Sequence, residues 1–483
     1  MDSASISSTA SKVRPLTRMF LGPVILSLPF LVCAYQTAQS LFISNSHAHL
    51  LEKALLILDR GRFELIGFVY PPLPFLAVLL FPWPGVPSVL AAITGGAVAW
   101  ILWTRCLSGL PFPRAVRILL LLVFLAPPST LYMATQSVGE MMSLLLFLLA
   151  WIQYLKFTQS GNPSSGFAAG LIFALAFFVN HLAGVYGILF ALCVPLFSRD
   201  RSPRAMLAGA AVLCFPLIAA MASWMYLNWI FGGDALRFLN DPTSSLFVYS
   251  RANGLQVPTG WSMSWRAALH ESASTPLYLA VIAIVGWRWP SRLAPLAAPL
   301  VVTALLRTAG LFFPDYLAIG TYTVVALAGL PRAIPRWSWP ILSAAAVLQI
   351  VVLFATPLRG EASVWMEALV SGKPRASDLR EIEVASYLSH MPDHSVLADD
   401  RVTYRVLARA GTVRPFILPA DSVYNLAELR PAGFVSYVLA PTSAAKFSMG
   451  RIANVYPTKP PAQFRQLTSW PDWRLYEHDK ATQ

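Results

Sequence analysis

SWPILSAAAVLQIVVLFATPLRGEASVWMEALVSGKPRASDLREIEVASYLSHMP (338–392) is where the chain changes character. Residues 338–357 carry no charge, and their length matches the roughly 20 apolar residues that a bilayer-spanning helix needs. From Arg359 onward charge is dense and mixed. DLREIEVASYLSHMP (378–392) repeats its apolar residues at helical spacing. Upstream, from Met19 to Pro357, charge is sparse and confined to short connectors. The 483 residues are 56% hydrophobic and 12% charged, against about 25% charge in a soluble domain. So little polar surface cannot coat a globule in water, and the main solvent must be lipid.

The expected fold is an all-α polytopic membrane domain of roughly 11–12 spans with a small C-terminal α/β domain. Apolar runs fall at 19–43, 66–84, 86–104, 115–135, 139–157, 166–180, 182–197, 205–231, 275–288, 293–309, 316–331 and 338–357. Lys and Arg mark inside loops. Lys12, Arg14 and Arg18 place residues 1–18 in the cytoplasm, and the run that follows reads as a first span. Arg199, Arg201, Arg204, Arg288, Arg292, Arg332 and Arg336 mark later inside loops. Alternation then puts loops 44–65 and 232–274 outside, with the soluble domain 358–483. Arg105, Arg114 and Arg117 break this pattern: either 66–84, with its YPPLP (70–74) and FPWPG (81–85), is re-entrant, which is the favoured reading, or this loop is an exception. In the tail, HSVLADD (394–400) and VSYVLAP (435–441) read as buried strands, and WRLYEHD (473–479) as an edge strand.

The net charge of +13 is explained by inside-loop Arg, with attraction to lipid phosphate as the sharper alternative. Nucleic acid is excluded as a partner, because no basic stretch alternates with exposed aromatics. The four cysteines, Cys33, Cys106, Cys193 and Cys214, show no C-x-x-C spacing and read as small apolar residues.

Four stretches together resemble the GT-C superfamily of polyprenyl-phosphate-dependent membrane glycosyltransferases, in the branch of protein mannosyltransferases and lipid A aminoarabinose transferases. They are HLLEKALLILDRGRFELIGFVYPPLPFLAVLLF (49–81), LAPPSTLYMATQSVGEMMSLLLFLLAWIQYLKF (125–157), GLIFALAFFVNHLAGVYGILFALCVPLF (170–197) and FFPDYLAIGTYTVVALAGL (312–330). The resemblance implies an external catalytic cavity, a polyprenyl-phosphate sugar donor, and transfer to an extracytoplasmic lipid, glycan or protein. It places the protein in a bacterial-type inner membrane. The chain diverges at the first loop. Where the family usually carries an Asp, this sequence reads FISNSHAHLLE (42–52), with Asn45, Ser46 and His47 in its place.

Glycosyl transfer needs a base for the acceptor, charge stabilisation for the leaving phosphate, and a groove for the lipid. Candidate catalytic groups are His47, Glu52 and Glu140. A His near its ordinary pKa of about 6.5 is a competent base, and Glu52 and Asp59 are the nearest carboxylates to the missing Asp. Candidate substrate-binding groups are His49, Asp59, Tyr70, His181, Arg251, Arg307, Asp315 and Tyr316. Each has a bland reading beside it. The loop charges read as the solvated face of an interfacial helix, Glu140 as an acid at a helix N-terminus, and Arg307 as an ion pair with Asp315. His181 is costly at membrane depth unless paired or hydrated. His47, His49 and Glu52 offer a weakly specified divalent-metal set. The second functional reading is a non-catalytic scaffold subunit that binds a protein partner through 358–483. A transporter ranks last, because no inverted repeat is visible.

Overall fold

The computed structural model describes residues 6–63, 70–197, 202–240, 260–311, 314–444 and 450–479, without the side chains of 6–20, 195–197, 240 and 291. Two compact units emerge. A helical unit comprises Met1–Tyr35, Ser88–Leu227 and Gln256–Met366. An α/β unit comprises Gln36–Pro87, Asn228–Leu255 and Glu367–Gln483.

Five helices among the described residues are long and apolar enough to cross a membrane: Leu21–Gln39, Val86–Leu107, Val138–Ser160, Pro203–Gly232 and Ser338–Ala355. Two bent pairs raise the number to seven. Arg114–Leu125 and Pro128–Gln136 meet at 57°, and Trp261–Ala273 and Pro276–Arg288 at 94°. Pro127-Pro128 and Pro276 stand at the breaks, where proline cannot donate the helical hydrogen bond. Full-length spans are thus fewer than the apolar runs in the sequence. Pro163–Val179, Ala183–Val194 and Leu293–Thr308 are apolar but shorter, and at 1.5 Å per residue they fall short of a hydrocarbon core about 30 Å thick. At the expected re-entrant segment the structure has an eight-residue helix, Pro72–Leu79. Residues 64–69 before it lie outside the described residues.

Small residues and a few polar ones join the helices of the first unit. Gly166 and Gly170 face neighbours at i and i+4 spacing on Pro163–Val179. A Cβ at Gly166 would sit 3.0 Å from the Phe157 ring, and one at Gly170 would collide with the Leu213 carbonyl oxygen. This is the small-xxx-small packing expected where lipid supplies no hydrophobic drive. Buried Gln349 links three helices, donating to Thr323 Oγ1 at 2.8 Å and accepting from the Leu277 N–H at 3.2 Å.

The α/β unit holds a five-stranded sheet: β1 Val396–Leu397, β2 Phe416–Ile417, β3 Tyr437–Pro441, β4 Phe464–Ser469 and β5 Trp473–His478. The order is β2-β1-β3-β5-β4. β1 pairs in parallel with β2 and β3, while β5 runs antiparallel to both β3 and β4. The expected edge strand at 473–479 is therefore interior, because β4 pairs along its outer side. The alternating residues of a strand point to opposite faces. Val396, Phe416, Leu439 and Leu475 pack into one core, and Leu397, Ile417, Val438 and Tyr476 into the other. The first core also takes Leu55 and Leu56. A helix from the first loop, Asn45–Arg60, therefore completes a domain whose sheet lies more than 300 residues downstream.

Candidate functional site

The loop helix Asn45–Arg60 starts at Ser44, whose hydroxyl accepts from the His47 N–H, and ends at Gly61 with φ 63°. That left-handed conformation suits glycine. The family-like order of amphipathic helix, glycine turn and Tyr70-Pro71-Pro72 is present. Glu52, Lys53, Asp59 and Arg60 are not solvated, which corrects the sequence expectation for them, while Arg62 is exposed. Lys53 reaches Asp400 at 2.8 Å, and Asp59 accepts from Thr412 Oγ1 and the Val413 N–H at 2.8 and 2.7 Å. Arg60 forks onto Asp421 at 2.9 and 3.0 Å and donates to the Phe416 carbonyl. These partners all belong to the C-terminal domain, and they explain why a helix rich in charge is buried on its polar side.

Other candidates lie in the same contact. His47 and Glu52 are fully buried. Burial drops the His47 ring to about 3, so it is neutral at physiological pH and a weak base there. His49 stacks on Tyr404 with centroids 3.7 Å apart, and Tyr70 lies 6.4 Å away. Burial, then Lys53, lowers His49 to about 3. Burial pushes Glu52 up to about 8, against the pull of Lys53. Asp400 would be raised by burial, but Lys53 beside it holds it below the usual carboxylate range. The fixed negative charge of this group is therefore Asp400, and Glu52 holds its proton at neutral pH. No cluster of three His, Cys, Asp or Glu side chains at metal-holding spacing occurs among the described residues. His47, His49 and Glu52 are not gathered as the expected metal set.

Two further arginines fix the loop to the domain. Arg405 and Arg409, one turn apart on Asp400–Ala410, both grip Asp378 and Glu381 at 2.7–2.9 Å. Arg405 also donates to the Ile43 carbonyl, and Arg409 to that of Leu41.

In the helical unit a second polar group gathers at helix ends. Arg307, in the last turn of Leu293–Thr308, is 9% exposed and donates to both Glu271 and Asp315, the latter at 3.2 Å. Asp315 opens the helix Asp315–Gly329, and its side chain is 59% exposed. The expected Arg307–Asp315 pair is present, and Glu271 joins it. The next residue, Tyr316, places its hydroxyl 3.3 Å from Ser137 Oγ, which donates to Glu140 at 2.7 Å. Tyr132 lies edge-on to both Tyr316 and Trp365 and donates to Glu361 at 3.1 Å. Glu140 and Asp315 each occupy the first turn of a helix, where the backbone N–H groups favour negative charge.

The structure thus pairs Arg307 with Asp315 and Glu271, and joins Tyr316 to Glu140 through Ser137. His181 sits in the turn after Pro163–Val179, its ring against Phe177 and Trp224 at 5.0 and 5.7 Å. The preceding Asn180 lines a small crevice, partly open to the surface, shared with Ser143, Tyr186, Leu317 and Thr321. Arg251 lies outside the described residues. Ser137, Tyr132 and Glu361 were not legible as site residues. A Ser followed three residues later by Glu is the capping-box spacing that would have flagged Ser137 and Glu140.

No protein-family model and no curated protein matches the chain. Among solved structures, ArnT from Cupriavidus metallidurans bound to undecaprenyl phosphate is similar over 96% of this chain and 98% of its own, with TM-score 0.54 and 12% identity. The arabinofuranosyltransferase AftD from Mycobacteria aligns with 94% of this chain and 40% of its own, at TM-score 0.44 and 16% identity. The oligosaccharyltransferase AglB from Archaeoglobus fulgidus aligns with 88% and 70%, at 0.41 and 13%. The ArnT match shows that the chain has a GT-C-like fold: a multi-pass helical membrane domain with a small C-terminal α/β domain.

Proposed function

We propose that this protein is a membrane glycosyltransferase that moves a hexosyl or pentosyl group from a polyprenyl-phosphate donor to an acceptor lipid, glycan or protein. The carrying observation is the fold, shared end to end with ArnT, whose structure holds a polyprenyl phosphate. On this reading the reaction takes place at the extracytoplasmic face of a bacterial-type inner membrane. The soluble domain lies on that side.

The chemistry is assigned to Arg307 and to Glu140. Arg307 offers a planar fork suited to phosphate oxygens. Asp315 is the exposed member of its pair, so the donor phosphate takes that place while Glu271 continues to hold the guanidinium. Negative charge building on the leaving phosphate is then met by a fixed cation. Glu140 accepts the acceptor's proton, with Ser137 orienting its carboxylate and Tyr316 beside the Ser137 hydroxyl. Glu52, Asp59 and His49 are assigned to holding the loop helix, because their polar atoms face the C-terminal domain.

The test is purified protein in proteoliposomes, given a labelled polyprenyl-phosphate sugar and membrane acceptors. Glu140→Gln is expected to lower kcat by about 10²–10⁴, the usual worth of a general base. Unchanged kcat in Glu140→Gln would remove the base from the scheme.

A further inference from the structure

One surface of the C-terminal domain is apolar and covered by none of the described residues. The short helix Tyr424–Leu429 buries Tyr424 and Ala427 against the sheet. Its other side leaves Leu426 and Leu429 exposed at 59% and 58%, with Val423 before it at 38% and Phe434 after it at 42%. Positions 423, 426 and 429 follow one another at i+3, forming a single stripe. The helix Arg451–Asn454 is tied beside them: the N–H groups of Arg451 and Ile452 donate to Glu428, and the Tyr456 hydroxyl donates to the Glu428 carbonyl. Val455, which follows Arg451–Asn454, is a further exposed apolar residue at 37%.

The rim is basic. The described residues between 422 and 463 contain three cations, Arg430, Arg451 and Lys459, and one acid, Glu428, for a balance of +2. The Glu428 carboxylate is taken by two backbone N–H groups. Arg430, exposed, follows the helix directly after Leu429.

We infer that this surface seats on an anionic lipid bilayer, with Leu426, Leu429, Phe434 and Val455 entering the headgroup boundary and Arg430, Arg451 and Lys459 meeting lipid phosphates. Two arguments favour lipid over a protein. A stable protein interface takes about 800 Å² from each partner, whereas five part-exposed side chains offer roughly a few hundred. The chain is also anchored in a bilayer by spans such as Ser338–Ala355, which ends about twenty residues before the domain helix Ala376–Ser389. Tethering raises the local concentration of that surface without any new contact. Apolar residues ringed by Lys and Arg are the composition that holds elements in the membrane interface.

The test uses the full chain with its four cysteines replaced, reconstituted in nanodiscs and spin-labelled at Leu426→Cys. Ser386→Cys, on the exposed face of Ala376–Ser389, is the control. In nanodiscs containing phosphatidylglycerol, Leu426→Cys is expected to show a several-fold higher ratio of oxygen to nickel-chelate accessibility than the control. That excess falls to the control value in zwitterionic nanodiscs and in the Arg430→Glu/Arg451→Glu variant. Equal ratios at both sites in phosphatidylglycerol would overturn the proposal. So would shielding of Leu426→Cys that appears only when a protein extract is added.

Discussion

Arg307 is held by Glu271 and Asp315, so its use to a phosphate depends on displacing one of them. Losing the fork in Arg307→Lys forfeits a charge-assisted hydrogen bond worth about 1.5–3 kcal/mol. Donor kcat/KM is expected to fall about 10- to 100-fold, at 1.4 kcal/mol per tenfold. Asp315→Asn removes the competing carboxylate and is expected to lower donor KM, whereas a merely structural pair would lower the unfolding midpoint and leave KM alone. Glu52 gives a second prediction at this scale. Its folded pKa is about 8 against an ordinary 4.5, so the folded state holds a proton that the unfolded chain releases. That stabilisation is complete below 4.5 and is lost as pH rises through 8. Glu52→Gln is expected to remove a slope of up to about 1.4 kcal/mol per pH unit across this window, read from chemical-denaturation midpoints. The sequence made Arg307, Asp315 and Glu140 visible, because a charge is rare within apolar runs. The burial of Glu52 and the pairing of Asp59 were not legible, because a charged helix face looks the same whether water or a distant domain covers it.

The helix Asn45–Arg60 is the element most changed by its partners. Its apolar residues Leu55 and Leu56 fill the core of the α/β unit, and its charges pair with Asp400, Asp421, Thr412 and Val413. Removing one member of a buried pair costs about 3–5 kcal/mol, while an apolar replacement of both is close to neutral. Asp400→Ala is therefore expected to lower the unfolding midpoint sharply, and Lys53→Met/Asp400→Leu to recover most of it. Equal losses in the single and double variants would contradict the pairing. Among the apolar helices, Pro163–Val179 depends on Gly170 standing against the Leu213 carbonyl. Gly170→Leu forces that contact apart and is expected to cost about 1–3 kcal/mol or more, seen as loss of folded protein in detergent. Helix existence was readable from apolar runs, and the strands at 394–400 and 435–441 from short buried patterns. The two-residue strand Phe416–Ile417 and the outer position of β4 were not, because register is set by pairing between segments rather than by local pattern.

At the scale of the whole molecule, the sequence divided the chain at residue 358. The structure groups Gln36–Pro87 with Glu367–Gln483. No local signal announces that union, since the contacts bridge more than 300 residues. The polytopic helical domain was legible from composition alone, because lipid demands long uncharged segments. The central claim concerns chemistry, and one experiment reaches it directly: incubating the purified, reconstituted protein with a polyprenyl-phosphate sugar labelled in the sugar and following the label. Label is expected to leave the lipid carrier, free polyprenyl phosphate to appear in equal amount, and an acceptor to become labelled, all suppressed in Glu140→Gln. A carrier that keeps its sugar with every donor and acceptor offered would contradict the claim.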